Sequence, residues 1–314
     1  MADEAPIHRP PRAALLPTFL AWTFGLGWGL TLFARLMAGP ADRLSEATLL
    51  GVTWLPGLIW FIVVFGVTLM PLVVGLKLAR RWGIATREWG WSDPKLRVLW
   101  GLAAGGALVL VAYVAALITR PPGFDPLWLA PWRTRYWQIN AGNPVFIMAL
   151  TLVFCGPVLT EAARYGLRRS MLLAAAAAVV WPAGIFFMAG GVRAEFAADA
   201  GVVAPWAFVF SVALSVLGWM VVSGWLRIRT GSAWTAVLMF WLWEVVRSME
   251  HSPLNPNADD SIPTVVYAVV GTAIVIAAAA ALLRPPHSDR WEPPGTSPHR
   301  AEDVLQARRV IRDG

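Results

Sequence analysis

Long apolar runs separated by short polar stretches divide the chain into eight candidate helices. A helix needs about 20 apolar residues to cross roughly 30 Å of hydrocarbon, and most of the runs approach that length. The pattern therefore predicts an all-α fold, a polytopic transmembrane bundle of about eight spans. The predicted spans are Ala14–Met37, Val52–Leu76, Val98–Ile118, Pro144–Leu159, Met171–Gly190, Trp206–Leu226, Ala233–Val246 and Pro263–Leu283.

The polar ends of the chain suggest a division into three regions. Residues 1–12 are polar and Pro-rich, and we expect a cytoplasmic N-terminal segment without a cleaved leader, because the first apolar run is too long for a signal peptide. Residues 13–284 form the predicted transmembrane domain. Residues 285–314 are rich in Pro, Arg and acidic residues, which predicts a disordered cytoplasmic tail.

Composition points to lipid rather than water as the main solvent. Hydrophobic residues make up 57% of the chain and charged residues only 14%, against about 25% charged in soluble domains. Many of the 19 Trp lie near the ends of apolar runs, where an indole suits the membrane interface. Those that we interpret this way are Trp22, Trp54, Trp100, Trp128, Trp132, Trp137 and Trp206.

The net charge of +7 follows the loops and sets the predicted orientation. Most of the 26 Lys and Arg lie in segments that are cytoplasmic if both termini are inside, which indicates a bacterial inner membrane protein with cytoplasmic ends. Because these residues lie in short loops, the partner they suit is the lipid bilayer, not nucleic acid. The loop Arg80–Arg97, basic and with three Trp, is expected to lie on the cytoplasmic membrane surface.

Two carboxylates lie at the ends of the short fourth and seventh runs. Glu161 and Glu244 are each followed three residues later by an arginine, Arg164 and Arg247. An ionisable group inside a span is costly and is a functional candidate. The alternative is that each Glu neutralises its Arg at a wet helix end. The spacing predicts that Glu161, Arg164 and Arg168 lie on one helical face.

Two segments resemble one known family. The stretch Gly224–Trp234 contains Thr-Gly-Ser-x-Trp ahead of an apolar helix, and Pro157–Met171 carries Thr-Glu-Ala-Ala-Arg-Tyr-Gly ahead of a further span. Both resemble motifs of the CPBP family, the CAAX prenyl protease and bacteriocin-processing intramembrane proteins. In that family the first motif reads Glu-Glu-x-x-x-Arg-Gly, and the Thr-Gly-Ser-x-Trp turn opens a helix with His-x-x-x-Asn. The resemblance covers roughly Lys77 to Val246.

The first motif can be carried over residue by residue. If Gly166 matches the motif glycine, Thr160 takes the position of the first Glu and Glu161 that of the second. Tyr165 then stands where the family has Arg, and Arg164 lies one residue out of register. One of the two paired carboxylates is therefore retained.

The two histidine motifs depart from the family further. Phe186 is followed four residues later by Gly190 where the family has His. In the last motif, Phe240 stands at the His position and Glu244 at the Asn position. We expect no bound metal or other cofactor, because no imidazole occupies a motif position; zinc would be expected only if the protein were an active protease.

The resemblance implies a cavity among the fourth to seventh helices, open toward the cytoplasmic side. Our leading hypothesis is a CPBP-like protein that has lost proteolysis and acts as a scaffold or partner-binding subunit. One alternative is an active intramembrane endopeptidase with a rearranged site, in which Glu161 and Glu244 act on a membrane-anchored substrate. A second alternative is a small-solute or lipid transporter, with Glu161 and Arg164 along the path. Cys155 lies in an apolar run and is expected to be buried.

Overall fold

The computed structural model describes residues 12–43, 46–91, 99–119, 143–190, 205–250 and 261–284, and each range contains helix but no strand. All eight predicted runs coincide with a helix, so the all-helical prediction is confirmed for this part of the chain. The helices are α1 (Leu15–Ala38), α2 (Leu55–Trp82), α3 (Leu99–Thr119), α4 (Asn143–Val153), α5 (Leu167–Ala189), α6 (Pro205–Thr230), α7 (Ala233–Glu250) and α8 (Ser261–Leu283).

Three of these helices, α1, α2 and α5, are long and apolar enough to cross a membrane. Shorter apolar stretches lie in α3, α7 and α8. Large apolar side chains on the outside of the bundle are exposed, among them Phe33, Phe61 and Ile118. Exposed apolar surface on this scale is unusual in a soluble monomer. The length and composition of the helices indicate an integral membrane protein.

Three of the seven Trp assigned to the membrane interface have side chains that the structure describes. Trp22, Trp54 and Trp100 are all largely exposed, as residues at a lipid–water boundary would be. The side chains of the other four Trp assigned to the interface lie outside the part of the chain that the structure describes, and so do residues 1–11 and 285–314.

The largest cluster of buried apolar side chains combines the end of α4 with residues of α1, α2, α5 and α6. Helix α1 packs against α2 and α5, α4 packs against α2 and α7, and α6 packs against α5, α7 and α8. Helix α3 packs closely on α7 through two glycines one turn apart. A Cβ on Gly105 would lie 3.0 Å from the Met239 carbonyl oxygen, and a Cβ on Gly101 would overlap the Thr235 carbonyl. We call this contact the α3–α7 seam; it is the small-residue packing that membrane helices use for close approach.

Helix α4 does not end at Val153 but changes its hydrogen-bond register. It continues through a π-helical turn, Phe154–Val158, then a short α-helical segment, Leu159–Ala162, and a 3₁₀ turn, Ala163–Tyr165. All five residues of the π turn are buried. Cys155 is 0% exposed, which confirms the prediction that it is buried.

Gly166 ends this composite helix. Its φ of +97° is a left-handed value that a helix cannot continue through, and α5 begins at the next residue. The expectation that Glu161, Arg164 and Arg168 share one continuous helical face is therefore wrong. Arg164 lies in the 3₁₀ turn before the break and Arg168 lies in α5 after it.

Candidate functional site

The π turn is a response to Pro157. Proline has no backbone N–H and its ring clashes with the carbonyl one turn earlier, so the carbonyls at the start of the turn have one donor too few. The indole Nε1 of Trp91 donates to one of them, the Leu152 oxygen, at 2.7 Å. Gly156 leaves room for the ring, because a Cβ there would overlap the Trp91 indole. A side chain from a distant loop thus completes the hydrogen bonding of α4.

The π turn also sets the direction of Glu161. One extra residue in a helical turn rotates every later side chain by about 100° around the axis. Glu161 follows the turn by three residues and is only 5% exposed. In an uninterrupted α-helix the same side chain would lie on a different face. The register change therefore decides that Glu161 is enclosed.

Glu161 is covered by Trp89. The Trp89 Nε1 lies 3.4 Å from Glu161 Oε1, a long hydrogen bond, and Trp89 itself is 0% exposed. The neighbouring Thr160 is also buried, and its hydroxyl has no hydrogen-bond partner among the described residues. Buried polar groups of this kind are costly in an apolar interior. Glu161 is thus part of a closed polar cluster.

The covering segment is residues 84–91, which we call the strap. It contains the 3₁₀ turn Thr86–Trp89 and enters the bundle so that Trp89 and Gly90 are buried. The expectation that the whole Arg80–Arg97 loop lies on the membrane surface is therefore wrong for this part. The indoles of Trp89 and Trp91 lie beside the π turn instead. Residues 92–98 lie outside the described ranges.

The buried side chain of Arg227 contacts the strap at Glu88 and Gly90. Its side chain is 0% exposed, and Nη2 donates to the Glu88 carbonyl oxygen at 3.2 Å. The guanidinium lies against Gly90, whose φ is +71°; a Cβ there would come to 2.5 Å from Arg227 Cζ. In the sequence Arg227 directly follows the predicted span Trp206–Leu226 and is therefore assigned to a cytoplasmic loop. The structure places a permanently charged group inside the bundle instead.

The start of α7 holds the other end of the strap. The Ala233 N–H donates to the Gly90 oxygen at 3.1 Å, and Trp234 Nε1 donates to the Trp91 oxygen at 2.8 Å. Trp234 is the tryptophan of the Thr-Gly-Ser-x-Trp segment. Neither Trp89 nor Trp91 was predicted from the sequence as a site residue. The available signal was a glycine between two tryptophans in a loop, together with a proline inside an apolar run.

The arginine and tyrosine of the first motif lie outside the closed cluster. Arg164 is exposed; its Nη2 donates to the Ala13 carbonyl oxygen at 3.0 Å, and its Cζ lies 4.7 Å from the centre of the exposed Tyr165 ring. Arg168, also exposed, places Nη2 3.4 Å from the Leu283 oxygen. The turn around Gly166 therefore contacts the segment before α1 and the end of α8.

The last motif lies on α7 and provides aromatic packing. Phe240 stacks edge to face with Trp219 of α6, with ring centres 5.2 Å apart. Glu244 is eleven residues after Ala233, which corresponds to about 16 Å along the helix axis. Its side chain lies outside the described residues, so its pairing with Glu161 stays a prediction.

An open, apolar cavity of about 480 Å³ lies between α3 and α8, lined by Leu110, Val111, Val114, Ala115, Ile118 and Val269, and it is not at Glu161. No group of three His, Cys, Asp or Glu side chains suited to a metal occurs within the described ranges. All four His lie outside those ranges, so the expectation about metal stays a prediction.

Comparisons of the chain with models of known families, with curated proteins and with solved structures found no match. The resemblance to the CPBP family therefore rests on the residues quoted above.

Proposed function

We propose that this protein is a CPBP-like integral membrane protein without proteolytic activity, which acts as a scaffold or partner-binding subunit. In this proposal all eight helices cross a bacterial inner membrane and both termini are cytoplasmic. The observation that carries the proposal is the set of side chains at the matched motif positions, where Thr160 stands in place of a carboxylate and Phe240, packed on Trp219, in place of a histidine. The one motif carboxylate that is retained, Glu161, is buried under Trp89 and the strap.

The chemistry of peptide hydrolysis supports this reading. A carboxylate that acts as general base must reach a water molecule and the scissile carbonyl at hydrogen-bond distance. Glu161 instead faces an indole, the adjacent motif position holds Thr160, and the histidine position holds Phe240 in contact with Trp219. These side chains supply neither a second carboxylate nor an imidazole.

The proposed topology has two supports. Exposed apolar side chains lie on α1, α2, α3 and α8, as lipid-facing helices require. The Lys and Arg distribution favours cytoplasmic termini. A reporter fused after Arg87 should read cytoplasmic, and one fused after Arg133 should read external. Two reporters on the same side would contradict the eight-span arrangement.

Affinity purification from the native membrane tests the function. We expect a defined membrane-protein partner to co-purify with the wild type and equally with Glu161→Gln, because a buried carboxylate takes no direct part in docking. Glu46→Gln, a change in an exposed loop residue, is the matched control. The same preparations are incubated with a prenylated or membrane-anchored peptide, and we expect no cleavage.

Two outcomes would replace the proposal. Cleavage that Glu161→Gln or metal chelation abolishes, and Glu46→Gln does not, would show the endopeptidase. Solute or lipid uptake by proteoliposomes that depends on Glu161 would show a transporter.

A further inference from the structure

The strap has the construction of a hinged segment. Gly83 and Gly90, near its two ends, have φ values of +63° and +71°. Glycine tolerates large backbone rotations that other residues resist, and a rotation at Gly83, which ends α2, carries residues 84–91 with Trp91 as one unit. Arg87, between them, is exposed on the outer side of the strap. The segment therefore separates the outside of the bundle from the Glu161 cluster.

Of the two indoles in the strap, Trp91 is held more firmly than Trp89. Trp91 Nε1 approaches the Leu152 oxygen to 2.7 Å, whereas Trp89 Nε1 is 3.4 Å from Glu161. The Trp91 ring is held between α2 and the π turn: a Cβ on Gly75 would lie 2.9 Å from its Cη2, and a Cβ on Gly156 would overlap it. Two glycines on different elements thus form the slot for this ring.

The Trp91 slot is also the weak point of α4. Pro157 removes one donor from the helix, and the indole of Trp91 replaces it. When the ring leaves, the Leu152 carbonyl loses that donor and the π turn loses the ring that covers Gly156. Release of the strap and loosening of α4 are therefore one event.

We propose that the strap is a gate over the Glu161 cluster, that Trp91 is its latch, and that opening exposes the π turn on the side where Arg87 is exposed. The gate concerns access to the cluster, and it operates whether or not a partner binds. Opening uncovers Glu161 and Thr160, which are both buried when the strap is in place. The closed form described above is then one of two states of the same site.

The protein carries its own reporter for this opening. Cys155 is the one cysteine in the chain, lies in the π turn and is 0% exposed. Its alkylation by N-ethylmaleimide therefore requires an opening of the structure, and the rate measures how often that opening occurs. Cys155→Ala gives the background of the assay.

The test compares two tryptophan variants of the full-length protein in detergent, well below the melting temperature. Trp91→Phe keeps an aromatic ring in the slot but removes the N–H. We expect alkylation of Cys155 to become about tenfold to a hundredfold faster, the range that follows when a buried carbonyl loses its donor. Trp60→Phe is the matched control, since it removes an indole bond to the Gly39 oxygen at the opposite end of α2. It should change the rate less than about twofold.

Trp234→Phe is the second variant and keeps the test decisive if Trp91→Phe does not fold. It removes the donor to the Trp91 oxygen, so it should accelerate alkylation in the same direction but by a smaller factor. An unchanged rate in Trp91→Phe, or in Trp234→Phe where only that variant folds, would overturn the gate. A second outcome would also overturn the gate. If the alkylation rates of all three variants, Trp60→Phe included, rose only as far as their melting temperatures fell, Cys155 would be reached by global unfolding.

Discussion

The α3–α7 seam and the strap both depend on glycine, and they use it differently. In the seam, Gly101 and Gly105 bring one helix against the backbone carbonyls of another. In the strap contact, Gly75 and Gly156 make room for an indole that comes from a loop. The first is a contact between two rigid elements, and the second joins a rigid helix to a segment with left-handed glycines at its ends. We therefore expect substitutions in the seam to destabilise the fold more than substitutions in the strap contact.

The seam should give the largest effect. Gly101→Leu places a side chain where the Thr235 carbonyl lies, and neither helix backbone can withdraw without separating. We expect a loss of about 3 kcal/mol or more in the free energy of unfolding, measured by denaturant titration in detergent. Gly106→Leu, on the same helix but with nothing within 4 Å of its Cβ, is the control and should be close to wild type. Similar losses in both variants would mean that helix propensity, not the seam, is responsible.

A smaller substitution at the strap contact should lower the free energy of unfolding by less. Gly156→Ala forces the Trp91 ring out of its slot, and the loop can retreat where a helix cannot. We expect a loss of about 1–3 kcal/mol in the free energy of unfolding. Gly66→Ala is the control, because its Cβ meets nothing within 4 Å and alanine is the better helix former. A variant at Gly156 as stable as that at Gly66 would show that the ring does not need the slot.

A single indole bond should contribute less again. Trp234→Phe removes the donor to the Trp91 oxygen and keeps most of the packing. The expected cost is about 1 kcal/mol, seen as a small fall in the melting temperature. Trp100→Phe, an exposed indole, serves as the comparison. Equal melting temperatures for the two variants would mean that the bond to the strap contributes nothing measurable.

The smallest effect is expected at the surface of the Gly166 turn. Arg164→Ala removes an exposed guanidinium that donates to the Ala13 oxygen, so the free energy of unfolding should fall by less than about 1 kcal/mol. If Glu161 and Arg164 formed a buried ion pair within a span, breaking it would cost about 3–5 kcal/mol. Thermal unfolding distinguishes the two. A loss in the larger range, partly restored by adding Glu161→Gln, would favour the buried pair.

The length of the apolar runs was enough to locate the eight helices of the described residues. The backbone N–H and C=O groups of a long apolar segment need partners, and a helix supplies them within the segment itself. Glycine spacing was not enough to locate the contacts. Gly25 and Gly29 have the same spacing as Gly101 and Gly105, yet no atom lies within 4 Å of a Cβ built on either of them. Which pair is covered depends on the arrangement of helices, a property that no local pattern contains.

In the candidate site, too, the local sequence pattern does not predict the contacts between distant residues. Glu161 could be selected from sequence because a charge in an apolar run is rare. Its cover could not, because Trp89 is 72 residues away in the chain and reaches Glu161 only through the fold. The direction of Glu161 depended on the π turn, which follows from Pro157 and the indole of Trp91 together. Arg227 looked like a loop charge because it follows an apolar run, but α6 continues past it to Thr230.

The turn around Gly166 has a consequence for the order of assembly during synthesis. Arg164 contacts Ala13, which was translated 151 residues earlier, whereas Arg168 contacts Leu283, which is translated 115 residues later. At about 5–20 residues per second, the ribosome needs roughly 6–23 s to supply that second partner. Because α1 also packs against α5, the first helix can dock on the middle of the chain while the last helix is still unmade. In a nascent chain halted shortly after α5, helix α1 should already be docked. Leu283, the partner of Arg168, is not yet synthesised at that point.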